Sequence, residues 1–560
     1  MHSNSNAMSA IRLTGGQRGL SLIVTLVITA GVGLIVGSVL YLTSVRAVLT
    51  RRIGQFDGSV AAAVAATQKV HGRMSRDFQL AGEDAVAGNL SNYRSLVPLT
   101  AQVPWKNYEF ADVSGQNNQT TVQKLSDWGF RELHTRFLGL QGYAADYKII
   151  SQTRRLNSPY DIVAAVEQQV QVASIPIFQY QLFYVPDMEI HPSGVGMTFN
   201  GRVHCNANAY CKPEGTVTFL NHVTIARRFH HARHPDDPVA TRSGQTVFRA
   251  ERATSVNTLN IPIGTASTAT MLHALIDPPP MGELPVSLLG QQRFYNKADL
   301  IVLVNHGQIS ALSGIYNGSS VTIPWIRRIV TVTARPVYDK RECRDLEMIE
   351  IELNKLNENM ADLTAVLGRT VKVIWIADVS VPATMRPRAV RLRNADKLPG
   401  TGLTIATPQP LYVVGDFNTP PIVPACLAAD AVTVLSKNWQ DQDAAKGLPV
   451  RTAVDTTINA AVITGIVPTR PGWYSGGVEN ALRLLENWSG KTLTFHGALA
   501  VLYHSGRATA PWGGPDVYSP PIRKFSYDWN LSQAARLPPG TPEVRTILHS
   551  DWMVVQACIP

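Results

Sequence analysis

Residues 20–42, LSLIVTLVITAGVGLIVGSVLYL, run for twenty-three positions without a charge. At about 1.5 Å per residue, a helix of that length spans roughly 34 Å, enough for the hydrocarbon core of a bilayer. A cleaved secretory signal carries only about 7–15 apolar residues, and Tyr41-Leu42-Thr43-Ser44 makes a poor cleavage site. A retained transmembrane helix is therefore expected. From Ser38 to about Val97 the pattern stays helical, through VAAAVAATQ and mixed charges such as Arg73, Arg76, Glu83 and Asp84. Gly58, Gly72, Gly82 and Gly88 interrupt it, and Pro98 and Pro104 end it. This predicts a helical stalk over 43–100.

Beyond residue 100 the rhythm changes. Short apolar or alternating runs recur between Gly, Asn, Asp and Pro at 147–151, 215–226, 300–304, 371–377, 403–406, 411–414 and 493–502. Their length and β-branched content predict strands. Helices are predicted at 344–367, where Leu346, Ile349, Leu353 and Leu356 recur at helical spacing, and at 425–436 and 477–488. The fold class is thus mainly β with helical inserts: a connecting α/β region over 101–180, then a β-rich body over 181–560. Segments 201–210, 215–224 and 492–503 read as rungs of a β-solenoid (β-helix-like), in which each rung buries its inward residues against the next. No strict period is present, and a β-sandwich with long crossovers is the alternative.

Composition narrows the picture a little. Of 560 residues, 45% are apolar and only 16% charged, so a large core can be buried under a neutral polar surface. The net charge of +10 permits nucleic acid, anionic lipid or acidic polysaccharide as a partner without selecting one. Arg12 and Arg18 precede the apolar run and Arg46, Arg51 and Arg52 follow it, so flanking charge does not set its orientation. Five cysteines are too few for a disulfide scaffold, and no CxxC pair is present to suggest a zinc ribbon. Cys205 and Cys211 are close enough in sequence to close a small disulfide loop in an oxidising compartment.

Candidate chemistry is sparse. His230, His231, His234 and Asp236, with Asp237, form the most ligand-rich patch. Imidazole and carboxylate suit a divalent metal, but Pro235 and the flanking Arg227, Arg228 and Arg233 favour a solvated loop instead. Asp416 lies at the end of a predicted strand, Asp378 just after another and Asp430 on the predicted helix 425–436, where turn-forming roles compete with catalytic ones. Neither GxSxG nor a phosphate-loop spacing occurs, and Ser475-Gly476-Gly477 reads as a turn before a helix. Trp473, Tyr474, Trp512, Tyr518, Tyr527, Trp529 and Trp552 crowd the C-terminal ninety residues with Arg507, Arg523 and Lys524. Such a set either fills a β core or stacks on bases or sugars. No cofactor is called for.

Two stretches resemble a known family. GGQRGLSLI resembles a prepilin processing site, in which a short basic leader ends in Gly and an apolar residue starts the mature chain. The resemblance implies a leader over 1–19 and cleavage between Gly19 and Leu20, although Val24 stands where most major pilins carry Glu. GRVHCNANAYCKPEGTVTFLNHVTIA, VYDKRECRDLEMIEIELNKL, LTIATPQPLYVVGDFNT and YSGGVENALRLLENWSGKTLTFHGALAVLYHS together resemble the exported bodies of PilX-type minor pilin-like proteins. Cys205, Cys211 and Cys343 depart from that pattern. The resemblance implies a structural, non-enzymatic component of a type IV pilus or type II secretion-type assembly. It would be anchored in the inner membrane with its body periplasmic or at the cell surface. Implied partners are other pilin-like subunits, an inner-membrane assembly platform, a prepilin peptidase and the lipid bilayer. Two alternatives stand beside it: a surface adhesin for polysaccharide or DNA, and a membrane-tethered β-helix carbohydrate-active enzyme.

Overall fold

The computed structural model describes residues 17–99, 101, 103–194, 196–314, 319–380, 387–514 and 516–557. Most of the predicted leader and Cys558 lie outside them. The chain is mainly β-strand with several helices, one of them long, apolar and N-terminal. That helix runs Gln17–Ala81, 65 residues or roughly 98 Å. It has two unlike halves. Leu22, Leu26, Leu34 and Leu40 stand 64–74% exposed. Ala62, Ala66, Val70, Met74 and Phe78, four apart and so along one slowly turning stripe, are fully buried.

The glycines behave differently from expectation. Gly58 lies inside the helix, and a Cβ there would stand 2.5 Å from the Tyr108 hydroxyl, so it is a close-approach point and not a break. Gly82, at φ 79°, ends the helix well before Pro98. Only the short helices Glu83–Gly88 and Leu90–Arg94 follow.

The buried stripe packs on a six-stranded antiparallel sheet. Gln141–Arg155 pairs with Val163–Pro176 on one side, and with Tyr108–Ala111, Thr121–Lys124 and Gly129–Glu132 on the other. Val122, Ala145, Tyr147, Ile149, Val170 and Val172 meet Val70, Met74 and Phe78. The last strand, Glu543–Val555, pairs with Val163–Pro176. Residues 177–542 are thus inserted between two neighbouring strands of one sheet.

Within the insertion, pairing is largely parallel. Leu182–Tyr184, Val203–Cys205, Val223–Ile225 and Arg252–Thr254 form one ladder. Met188–Ile190, Ala209–Cys211 and Phe229–His230 form a second. Met197–Phe199, Thr216–Phe219 and Gln245–Phe248 form a third, in which Phe199, Phe219 and Phe248 stack at 5.3 and 5.1 Å. The later segment adds two longer ladders. One takes Leu300–Asn305, Val373–Asp378, Leu403–Thr407, Ala425–Ala429, Thr456–Ile466 and Thr492–His504. The other takes Arg344–Glu352, Arg388–Arg393, Leu411–Val414, Val432–Leu435 and Leu482–Leu484. Thr492–His504 then pairs with Leu182–Tyr184, joining both halves in a thirteen-stranded sheet. The pairing order therefore starts in the middle of the sheet, runs to one edge, and resumes from the other.

Three helix expectations are corrected. Ala425–Ala429 and Val432–Leu435 are strands. Leu427 and Ala429 face one core while Cys426 and Ala428 face another, so no polar alternation marks them. Arg344–Glu352 is a strand, with helix confined to Leu353–Glu358 and Met360–Leu367. Between 477 and 488 lie a 3₁₀ turn, Val478–Asn480, and the strand Leu482–Leu484.

The crossover 255–299 lies along the outer face of the thirteen-stranded sheet. Leu259, Ile261, Leu272, Leu275 and Phe294 cover small side chains there, including Ala406, Ala428, Ala461 and Ala498, which allow close approach. An ionic clamp fixes it. His273 Nδ1 lies 2.8 Å from Asp277 and Nε2 2.9 Å from fully buried Asp430. Asp430 also accepts the Gly506, Arg507 and Ala508 N–H groups. Burial opposes charge on His273, but its hydrogen bonds to the two carboxylates and their charges raise it from 6.5 to about 9. A raised pKa means stabilisation that is complete below pH 6.5 and lost as pH climbs through about 9. The melting-temperature advantage of wild type over His273→Gln should be largest at pH 5–6.5, worth about 3 kcal/mol. It should shrink toward zero above pH 9 in calorimetric scans; a constant difference would contradict the clamp.

Candidate functional site

Met188–Ile190 alternates about its sheet. Met188 and Ile190 enter the core, which leaves Glu189, and His191 two residues on, directed to the opposite side. The segment 469–480 closes over them. Glu189 Oε1 accepts from Thr469 Oγ1 (2.5 Å) and Ser475 Oγ (2.8 Å), and Gly477 N–H donates to Ser475 Oγ (3.0 Å). Gly476 and Gly477 have φ of 90° and 64°. A Cβ on Gly477 would press to 2.6 Å from Glu479 Oε2 and 2.7 Å from the Glu189 carbonyl, so only glycine fits. The turn read from the sequence is present here, although no α-helix follows it.

The charges in this cluster are offset in different ways. Burial pushes the Glu189 carboxyl upward, but neighbouring His191 and the Thr469 and Ser475 hydroxyls outweigh that and leave it below the ordinary range. Glu479 accepts the His191 N–H (2.6 Å), and burial raises it above the ordinary range. Arg233 binds Asp237 at 2.6 Å with both side chains buried, and its guanidinium lies 4.8 Å from the Tyr474 ring centre. Candidate donor atoms of Glu189, His191 and Asp237 lie within 4.8 Å of one another. They make a poor cation site: the Lys212 N–H donates to His191 Nδ1 (3.1 Å), which puts the ring proton on Nε2, and Arg233 already neutralises Asp237.

Two cavities flank the cluster. One, about 580 Å³, lies beside Asp187, Glu189, His234 and His504. The other, about 400 Å³, is lined by His191, Tyr474, Glu479, Asn480, Trp512 and Arg523 among others.

The residues singled out in the sequence are placed as follows. His230 stacks on Tyr210 at 4.7 Å, and His231 lies 3.2 Å from Arg252. His234 meets Tyr210 edge-on and sits 3.8 Å from Asp187 and 3.9 Å from Asp236. The patch thus brings His234 and Asp236 together, His230 shares the Tyr210 ring with His234, and His231 makes a separate contact. Asp378 bonds Arg388 (3.0 Å) and Asp416 accepts the Thr457 N–H (2.7 Å), both structural roles like that of Asp430. Cys205 and Cys211 are free buried thiols, not a bonded pair. Cys205 donates toward the Asn208 carbonyl (3.4 Å) and Cys211 accepts from Thr246 (3.2 Å). Gly19 and Leu20 fall within the long helix.

Sequence reasoning missed Glu189, His191, Glu479 and Asn480. They come from distant segments, and the alternation MEIH was the one local signal that two polar groups share a face.

No family model and no curated protein matches this chain. Among solved structures it is similar to the competence-associated pilin ComZ from Thermus thermophilus, at 9% identity and a TM-score of 0.27. That match covers 90% of this chain and 97% of the other. At that level the likeness fixes neither fold nor role.

Burial raises the Cys205 and Cys211 thiols to about 12, which withholds the reactive thiolate. Native-state alkylation read by peptide mass spectrometry should therefore label exposed Cys343 and spare Cys205, Cys211 and Cys426 until the chain is unfolded. Rapid native labelling of Cys205 or Cys211 would contradict this packing.

Proposed function

We propose that the chain is a membrane-anchored, pilin-like structural subunit with a β-solenoid body displayed outside the cytoplasm. One observation carries the reading: a single continuous helix is apolar and exposed over 20–42, then packs a buried stripe against an antiparallel sheet. The exposed half is long enough to cross a bilayer, which suits a membrane anchor or a signal sequence. The packed half ties that segment to the folded body. The mainly parallel ladders of the insertion support coiling as a solenoid over a sandwich, whose sheets are commonly antiparallel.

In this reading the partners are other pilin-like subunits, an inner-membrane platform and a prepilin peptidase acting between Gly19 and Leu20. Lateral packing of apolar helices keeps the segment covered when subunits leave the bilayer. Val24, in place of an acid, makes a minor or priming position more fitting than repeated incorporation along a filament.

N-terminal sequencing of the protein recovered from membranes tests the proposal. The expected mature start is Leu20, and Gly19→Val should leave the leader attached. A wild-type chain that keeps Met1 would reduce the N-terminus to an uncleaved signal anchor and remove the pilin-like reading.

A further inference from the structure

Beyond the anchoring role, and independent of it, the roughly 400 Å³ cavity contains a set of polar atoms that the protein leaves unmatched. Four lining residues each present one buried atom without a hydrogen-bond partner: His191 Nε2, Glu479 Oε2, Asn480 Oδ1 and Arg523 Nε. The His191 side chain is 0% exposed, and Glu479 and Asn480 are 5% and 6% exposed. Buried polar groups are almost always paired, so four around one cavity of ligand size point to a polar guest.

The chemistry of the four is divided. Arg523 is cationic and offers its Nε–H, while its Nη2 donates to the Glu479 carbonyl (3.1 Å). The His191 Nε2–H, fixed by Lys212 on Nδ1, lies 3.8 Å from Glu189 Oε2 and stays on that side. Arg523 therefore suits a carboxylate. Asn480 Oδ1 and Glu479 Oε2 both accept hydrogen bonds, and burial raises the Glu479 carboxyl above its ordinary range. Those two suit hydroxyl groups. The other basic groups on the rim are already engaged, Arg233 by Asp237 and Arg242 by Glu214. Trp512, 37% exposed, supplies an aromatic surface beside Tyr474 at 5.8 Å, and its Nε1 donates to Tyr518 (3.1 Å).

We infer that this cavity binds an acidic sugar, with the uronate carboxylate on Arg523, the hydroxyls on Asn480 and Glu479, and the ring against Trp512. Single-stranded nucleic acid fits less well. It needs a basic groove that follows successive phosphates, whereas this is one cavity with a single arginine not paired to an acid, Arg523.

The test is calorimetric titration of the full chain in detergent micelles with size-defined trisaccharides from pectate and from alginate. The same sugars with their carboxyls reduced to alcohols serve as one control and oligothymidylate as another. The expected result is saturable one-site binding of at least one uronate, with its reduced form at least tenfold weaker. Arg523→Gln and Trp512→Ala should each weaken binding at least tenfold, while Lys524→Gln, on an exposed neighbour, changes it less than twofold. Asn480→Asp, which adds a negative charge beside the carboxylate, should weaken the uronate more than the reduced sugar. That comparison within one variant holds even if Trp512→Ala lowers the melting temperature. Failure of both uronates to saturate, equal binding of the reduced sugars, indifference to Arg523→Gln, or preference for oligothymidylate would each overturn the assignment.

Discussion

A helix that is apolar on every side needs a cover, and none of the described residues supplies one here. Between residues 20 and 42 some fifteen large apolar side chains stand largely exposed. Burying each is worth about 1.5 kcal/mol or more, so leaving the segment in water forgoes on the order of 20 kcal/mol. That exceeds the about 5–15 kcal/mol by which a folded domain is usually stable. The hydrocarbon core of a bilayer is a cover of matching chemistry and length. The rest of the architecture follows from how a large body is fastened to such a helix.

The fastening is a matter of topology. Because residues 177–542 enter and leave through adjacent strands, both ends of the body are held by one ladder, Val163–Pro176 with Glu543–Val555. Ser174 hydrogen-bonds Glu543 across 369 positions of sequence, at the point where the insertion closes. Two residues on, Arg545 reaches the helix itself, donating to the Phe78 and Gln79 carbonyls at 3.1 Å with its guanidinium 5.8 Å from the Phe78 ring centre. The closing strand thus ties the helix directly to the end of the body. The buried Glu83, bound by Tyr147 (2.5 Å) and Lys124 (2.6 Å), secures the same corner. Inside the body the crossover 255–299 plays a similar part, holding the outer face of the long sheet.

Legibility in the sequence followed the solvent. The long apolar helix was legible because its pattern has no polar face to confuse it. Strands with one wet side, such as Thr216–Phe219 and Val223–Ile225, showed alternation and were expected as strands. Ala425–Ala429 was not, because the crossover dries its outer side and its small residues imitate a helix. In Arg344–Glu352 the positions 346 and 349 happened to continue into a real helix at Leu353, so two elements read as one. The cavity was the least legible feature. Its groups come from four separate segments, around residues 191, 233, 480 and 512–523, and only the tertiary fold brings them together. The aromatic and basic crowding of the C-terminal segment was visible, but not which of its members, Trp512 and Arg523, turn inward.

The central claim is that the apolar half of the helix sits in lipid with the body outside the cytoplasm. It is tested most directly by fractionating cells that express the untagged chain, washing the membranes with alkaline carbonate, and treating intact spheroplasts with protease. The account predicts a protein that resists the wash and whose body is digested from outside, while a cytosolic marker stays whole. A chain released by carbonate, or a body protected until the spheroplasts are lysed, would contradict it.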